Sequence, residues 1–135
     1  MKYIITSIVL AVTLFGFELG WSDDYEAALV KAKQEHKPVY ILITSETCGW
    51  CRKFEKTTLQ KPEVKQRLQK EFITLHLSRD LNFVPKVFQT SPVPRHYFVD
   101  ENGKILYSSL GYRQKDVFNS FMDNAKEKLQ KNKEK

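Results

Sequence analysis

Two cysteines with two residues between them, in Cys48-Gly49-Trp50-Cys51, carry the most specific chemistry in this sequence. Oxidised, such a pair closes a very small loop, and so small a loop removes little entropy from the unfolded chain. A disulfide that stabilises so little is suited to opening and closing. The same spacing is also half of a zinc site, which needs four ligands when closed. There is no second cysteine pair, and His36, His76 and His96 have no paired spacing. The residues therefore favour redox use and no resident metal, with carriage of copper or zinc by Cys48, Cys51 and a histidine as a rival.

The elements around the pair decide which cysteine does what. Val39 to Thr44 (VYILIT) is an unbroken β-branched and aromatic run, short enough for a buried strand. From Cys51 onward the pattern turns helical, with Phe54 and Leu59 apolar among Arg52, Lys53, Glu55 and Lys56. Cys48 then stands at the end of a strand and the start of a helix. Unpaired backbone N–H groups and the positive end of the helix dipole favour its thiolate. Cys51, one turn further, falls on the same side and is the less exposed of the two. This asymmetry predicts that Cys48 exchanges with a partner's sulfur and Cys51 resolves the mixed disulfide.

The remaining pattern supplies the frame. Ser22 or Asp23 caps a first helix that runs to about His36, with Pro38 beyond its end. Pro62 opens another helix, and Phe72 to Leu77 is a second strand. A short helix is expected at Pro85 to Phe88. Arg95–Asp100 and Lys104–Ser109 flank an Asn102-Gly103 hairpin signal, and a last helix spans Lys115 to Lys131. Strands joined through helices and ending in a hairpin predict an α/β fold, a mixed sheet covered on both faces.

With 135 residues, 41% of them apolar and 13% aromatic, the chain has room for one domain and too much apolar content for global disorder. Residues 1–20 read differently. After Lys2, Ile4 to Phe17 is almost wholly apolar, too short for a comfortable membrane span and matched to the apolar region of a secretory signal. A cleaved signal or an uncleaved membrane anchor both put the folded part, residues 21–131, in the periplasm or otherwise outside the cytoplasm. Much of the net charge of +6 comes from lysines at the end of the last helix and in a basic tail, residues 132–135. They are not interleaved with aromatics along a face, which argues against nucleic-acid binding.

Ser45-Glu46-Thr47-Cys48-Gly49-Trp50-Cys51 after a β-run resembles the active site of the thioredoxin superfamily. The following Arg52-Lys53-Phe54-Glu55-Lys56-Thr57-Thr58 is similar to the C-terminal periplasmic thioredoxin domain of the transmembrane thiol:disulfide interchange reductase. The likeness spans Trp21 to Lys131. It implies a thioredoxin fold and a thiol–disulfide oxidoreductase acting on cysteine pairs of other proteins, with reduction the favoured direction. Such an enzyme needs no bound cofactor and is expected to be a monomer, and a membrane thiol reductase is its expected electron donor because an exported compartment supplies no obvious soluble one. Val93-Pro94 matches the superfamily's cis-proline loop, and Gly111-Tyr112 the far wall of its substrate groove. Gly49, Trp50, Val93, Pro94, Gly111 and Tyr112 would then line that groove.

The departures from the family pattern are as informative. Leu42 stands where thioredoxin keeps a buried aspartate, and Phe72 to Leu77 holds no match for the accompanying lysine. Glu55, one turn beyond Cys51, is a candidate proton acceptor. Arg95 and His96 replace small or apolar residues after the cis-proline; a cation there would lower the Cys48 pKa, and strand alternation allows only one of the two to face the dithiol. A rival reading keeps the fold as a peptide- or protein-binding module with an incidental dithiol.

Overall fold

The structure, a computed structural model, describes residues 20–89 and 92–135. All but the last residue of the expected signal or anchor segment lies outside the described residues. Helix α1 (Tyr25–Glu35) leads into strand β1 (Val39–Thr44), then α2 (Gly49–Lys56), a 3-10 turn at Thr58–Gln60, α3 (Pro62–Glu71) and β2 (Ile73–Ser78). A second 3-10 turn at Lys86–Phe88 precedes the hairpin of β3 (Arg95–Val99) and β4 (Ile105–Leu110), and α4 (Lys115–Lys133) closes the chain. Among the described residues, no helix is long and apolar enough to cross a membrane.

The sheet order is β2-β1-β3-β4, with β1 and β2 parallel and the other pairings antiparallel. All six residues of β1 are buried, which its central place requires. Its alternate side chains feed two cores. Tyr40 and Leu42 pack with Phe54, Leu68, Phe98 and Phe118 beneath α2, α3 and α4. Val39, Ile41 and Ile43 pack with Ala28, Ala32, Leu75 and Phe88 on the α1 face. Helices thus cover both faces of a mixed sheet, the thioredoxin arrangement.

Several boundaries differ from the sequence expectation. The cap of α1 is neither Ser22 nor Asp23 but Asp24, whose Oδ1 accepts the Ala27 N–H at 2.7 Å. Ser22 is occupied elsewhere: its backbone forms a parallel bridge with β2, through Ser22 N–H to Thr74 and His76 N–H back to Ser22. Helix α4 runs to Lys133, two residues past the expected end, leaving a two-residue tail. A Glu127–Lys131 pair at i,i+4 and basic residues in the last turn support the extension. In the hairpin, Gly103 has φ +83° while Asp100 Oδ1 accepts from the N–H groups of Asn102 and Lys104. The expected hairpin is thus present, its loop closing around Gly103 in the left-handed region.

Candidate active site

Burial of β1 carries its C-terminal end to the surface beside α2, and the dithiol forms at that junction. Cys48 is the N-cap of α2, in extended backbone conformation, and its Sγ accepts the Cys51 N–H at 3.1 Å. The two cysteines are joined as a disulfide with Cα atoms 5.2 Å apart. Cys48 is half-buried, whereas Cys51 is fully buried. A reduced Cys48 would keep the same N–H and the same helix terminus, both of which stabilise a thiolate.

The approach to Cys48 is held by Arg52. Its Nη2 donates to the carbonyls of Ser45 and Glu46 at 3.2 and 3.4 Å, and its Nη1 bonds Glu55 Oε2 at 2.8 Å. Glu55 Oε1 in turn lies 3.5 Å from His76 Nε2, and that nitrogen also meets Thr44 Oγ1 at 2.7 Å. Burial is the main cause of a lowered His76 pKa. These groups edge a cleft of about 370 Å³ whose walls include Trp21, Leu42, Glu55 and His76.

On the other side of the dithiol, Trp50, Val93, Pro94, Gly111 and Tyr112 line an open apolar groove of about 340 Å³. Trp50 is 60% exposed, and its ring lies 5.8 Å from that of Tyr112. The Val93–Pro94 peptide is cis. Gly49, the first residue of α2, is exposed beside the groove. Gly111 has φ +95°, which favours glycine, and its N–H donates to the Pro94 carbonyl at 2.8 Å.

Behind this groove lies a buried relay that sequence reading missed. His96 Nε2 is 2.8 Å from the Gly111 carbonyl, so that nitrogen carries the proton. Nδ1 is then an acceptor, and it receives the Tyr40 hydroxyl at 2.8 Å. His96 is fully buried, against Phe54 at 4.9 Å, and burial lowers its pKa to about 4. The neutral ring thus ties the core beneath α2 to the groove wall. Arg95 points to the opposite face of the sheet, where its guanidinium lies 5.4 Å from the Tyr97 ring centre and 3.5 Å from Ser108. Of the two residues after Pro94, His96 is the one on the α2 face.

Leu42, the apolar substitute for thioredoxin's aspartate, is paired across the sheet with His76 on one side and His96 on the other. At this level of the sheet the polar side chains stand on the two flanking strands. The three histidines do not converge: His36 is exposed near Glu101, and the other two are occupied as described. Among the described residues, no three His, Cys, Asp or Glu side chains are grouped to hold a metal.

The family model of the thioredoxin-like domain matches residues 25–126. Anterior gradient protein 3 of Xenopus tropicalis is 30% identical over 89 residues, covering 64% of this chain. The chain spans about half the length of that relative, 52%. Among solved structures, the DsbH oxidoreductase superposes with a TM-score of 0.65 at 24% identity, covering 80% of this chain and 84% of that one. The oxidised C-terminal domain of DsbD from Neisseria meningitidis also gives 0.65 at 24% identity, covering 78% of this chain and 98% of that one. A disulfide-forming Cys-x-x-Cys pair capping a helix in this fold equips the chain for thiol–disulfide exchange. With the family model covering most of its length, the chain belongs to the thioredoxin-like domain family.

Proposed function

We propose that this is an exported thiol–disulfide oxidoreductase that passes two electrons from the Cys48–Cys51 dithiol to cysteine pairs of other exported proteins. The observation that carries this reading is the asymmetry of the pair: a half-buried Cys48 beside an open groove, and a Cys51 fully buried behind it. Cys48 thiolate attacks a substrate disulfide, one substrate sulfur leaves as thiolate, and a mixed disulfide forms. Cys51 then loses its proton and attacks Cys48 Sγ, which releases the second substrate thiolate. The enzyme ends as the Cys48–Cys51 disulfide, and the substrate takes up two electrons and two protons.

The groove formed by Trp50, Val93, Pro94, Gly111 and Tyr112 would hold the substrate chain, with the backbone at Val93 pairing to it as a short strand. Glu55, one helical turn beyond Cys51 and in contact with His76, would take the proton that Cys51 gives up. Arg95 acts through no contact with the dithiol in this scheme. The apolar run from Ile4 to Phe17 supports export, as a cleaved signal or an anchor, and a periplasmic location. Such a compartment supplies no obvious soluble dithiol, so a membrane thiol reductase would return the electrons to a monomeric enzyme.

Trapping tests the scheme. Cys51→Ser should accumulate disulfide-linked complexes with exported proteins through Cys48, and dithiothreitol should release them. Cys48→Ser should trap none. Complexes that persist in Cys48→Ser and resist dithiothreitol would favour a binding module instead. Stoichiometric copper or zinc in protein purified without chelator would favour metal carriage.

A further inference from the structure

Lys53 lies on the outer face of α2, one turn after Trp50, and its ammonium group sits between the two rings of the groove. Nζ is 5.1 Å from the Trp50 ring centre and 4.9 Å from that of Tyr112. Both distances are within cation–π range. The two aromatics therefore hold the charge at the rim of the groove rather than leaving it to sweep through solvent.

The carboxylates nearest in sequence do not neutralise it. Glu46 and Glu55 are both taken by Arg52. Among the described residues, Lys53 forms no ion pair, and neither do Lys56 and Lys61. The pKa of the Tyr112 hydroxyl is lowered, first by the neighbouring Thr57 hydroxyl, and the charges of Lys53 and Lys61 add to it. Arg113 continues the basic edge, donating from Nη1 to the Tyr112 carbonyl at 2.8 Å. The groove is thus apolar at its floor and positive along one side.

We infer that this groove selects cysteine segments carrying an acidic side chain two or three residues from the reacting cysteine, with Lys53 as the specificity-determining residue. The inference rests on the oxidoreductase reading and names the substrate class of that same site. The spacing follows from geometry. Cys48 and Lys53 are separated by five helical residues, roughly 7.5 Å of rise, which an extended segment covers in two to three residues. An aspartate or glutamate there meets an ammonium already positioned by Trp50 and Tyr112. A lysine there meets like charge.

Three cysteine peptides, each oxidised to its symmetric disulfide, test this. They differ in having aspartate, serine or lysine at the positions two and three residues from the cysteine. The fully reduced protein is mixed with each, and single-turnover oxidation is followed by Trp50 fluorescence. An exposed ion pair changes a rate by up to about fivefold, and attraction against repulsion compounds it, so the acidic peptide should react about tenfold faster than the basic one at low salt. High salt should compress the ratio. Lys53→Glu should abolish or invert it, and Lys61→Glu should reduce it in part. Because the readout is a ratio, a general change in Cys48 reactivity cancels. Equal rates in the unaltered protein would overturn the inference, as would an acidic preference that survives Lys53→Glu. Reduction of none of the three peptides would overturn the oxidoreductase reading as well, a distinct outcome from equal reduction of all three.

Discussion

Lowering the pH should destabilise this protein through one buried ring, His96. Burial drops its pKa from 6.5 to about 4, while its Nε2–H and Nδ1 stay committed to Gly111 and Tyr40. Between these values the unfolded chain binds more protons than the folded one, so stability is fully present above pH 6.5 and falls as the pH drops toward 4. At 1.36 kcal/mol per pKa unit, His96 alone removes about 2–3 kcal/mol between pH 7 and about pH 4.5. The comparison is with His96→Gln, which cannot titrate but keeps an N–H for the Gly111 carbonyl. Urea unfolding of both oxidised proteins, followed by far-UV circular dichroism at the two pH values, isolates the effect. His76, whose pKa is also lowered, and the carboxylates act alike in both proteins and cancel. The parent should lose about 2–3 kcal/mol more than the variant over this interval. Equal losses would mean that His96 is not held neutral by the fold, and the relay from Tyr40 to the groove wall would be wrong.

Three further outcomes test other parts of the arrangement. Phe54→Ala empties a fully buried site between His96 and Phe118 and should cost about 3–5 kcal/mol, read as a lower urea midpoint at unchanged slope. Asp24→Ala removes the cap of α1 and should cost about 1 kcal/mol, with Ser22→Ala costing less; equal costs would contradict the assignment of the cap. Gly111→Val forces a branched side chain into φ +95° and should cost about 1–2 kcal/mol while raising KM for protein disulfides more than it changes kcat.

The parts of the molecule legible in the sequence are those set by local pattern. β1 was readable because a central strand buried on both faces must be apolar throughout. Cys48 at a helix start followed from the switch of period after Thr44, and its capping geometry agrees with that placement. Local rivals blurred the ends: Ser22, Asp23 and Asp24 are all competent caps, and only the bridge to β2 shows that Ser22 is engaged elsewhere. The His96 relay was hidden for a different reason. Its partners lie 56 and 15 residues away, and nothing local marks one polar residue in β3 as bonded through both nitrogens. The Lys53 placement was equally invisible, since it depends on α2 and the segment after β4 bringing Trp50 and Tyr112 together. The one hint was that His96 breaks an apolar run on the face that must be buried.

The central claim is that the Cys48–Cys51 pair is a reversible couple poised for reduction of other proteins. Equilibrating the protein in thiol–disulfide buffers, with Trp50 fluorescence as the readout, measures its reduction potential. A value near that of thioredoxin, about −270 mV, is the predicted result. A value near that of the strong oxidants, about −120 mV, would reverse the proposed direction of electron flow, and the absence of any reversible couple would contradict the account altogether.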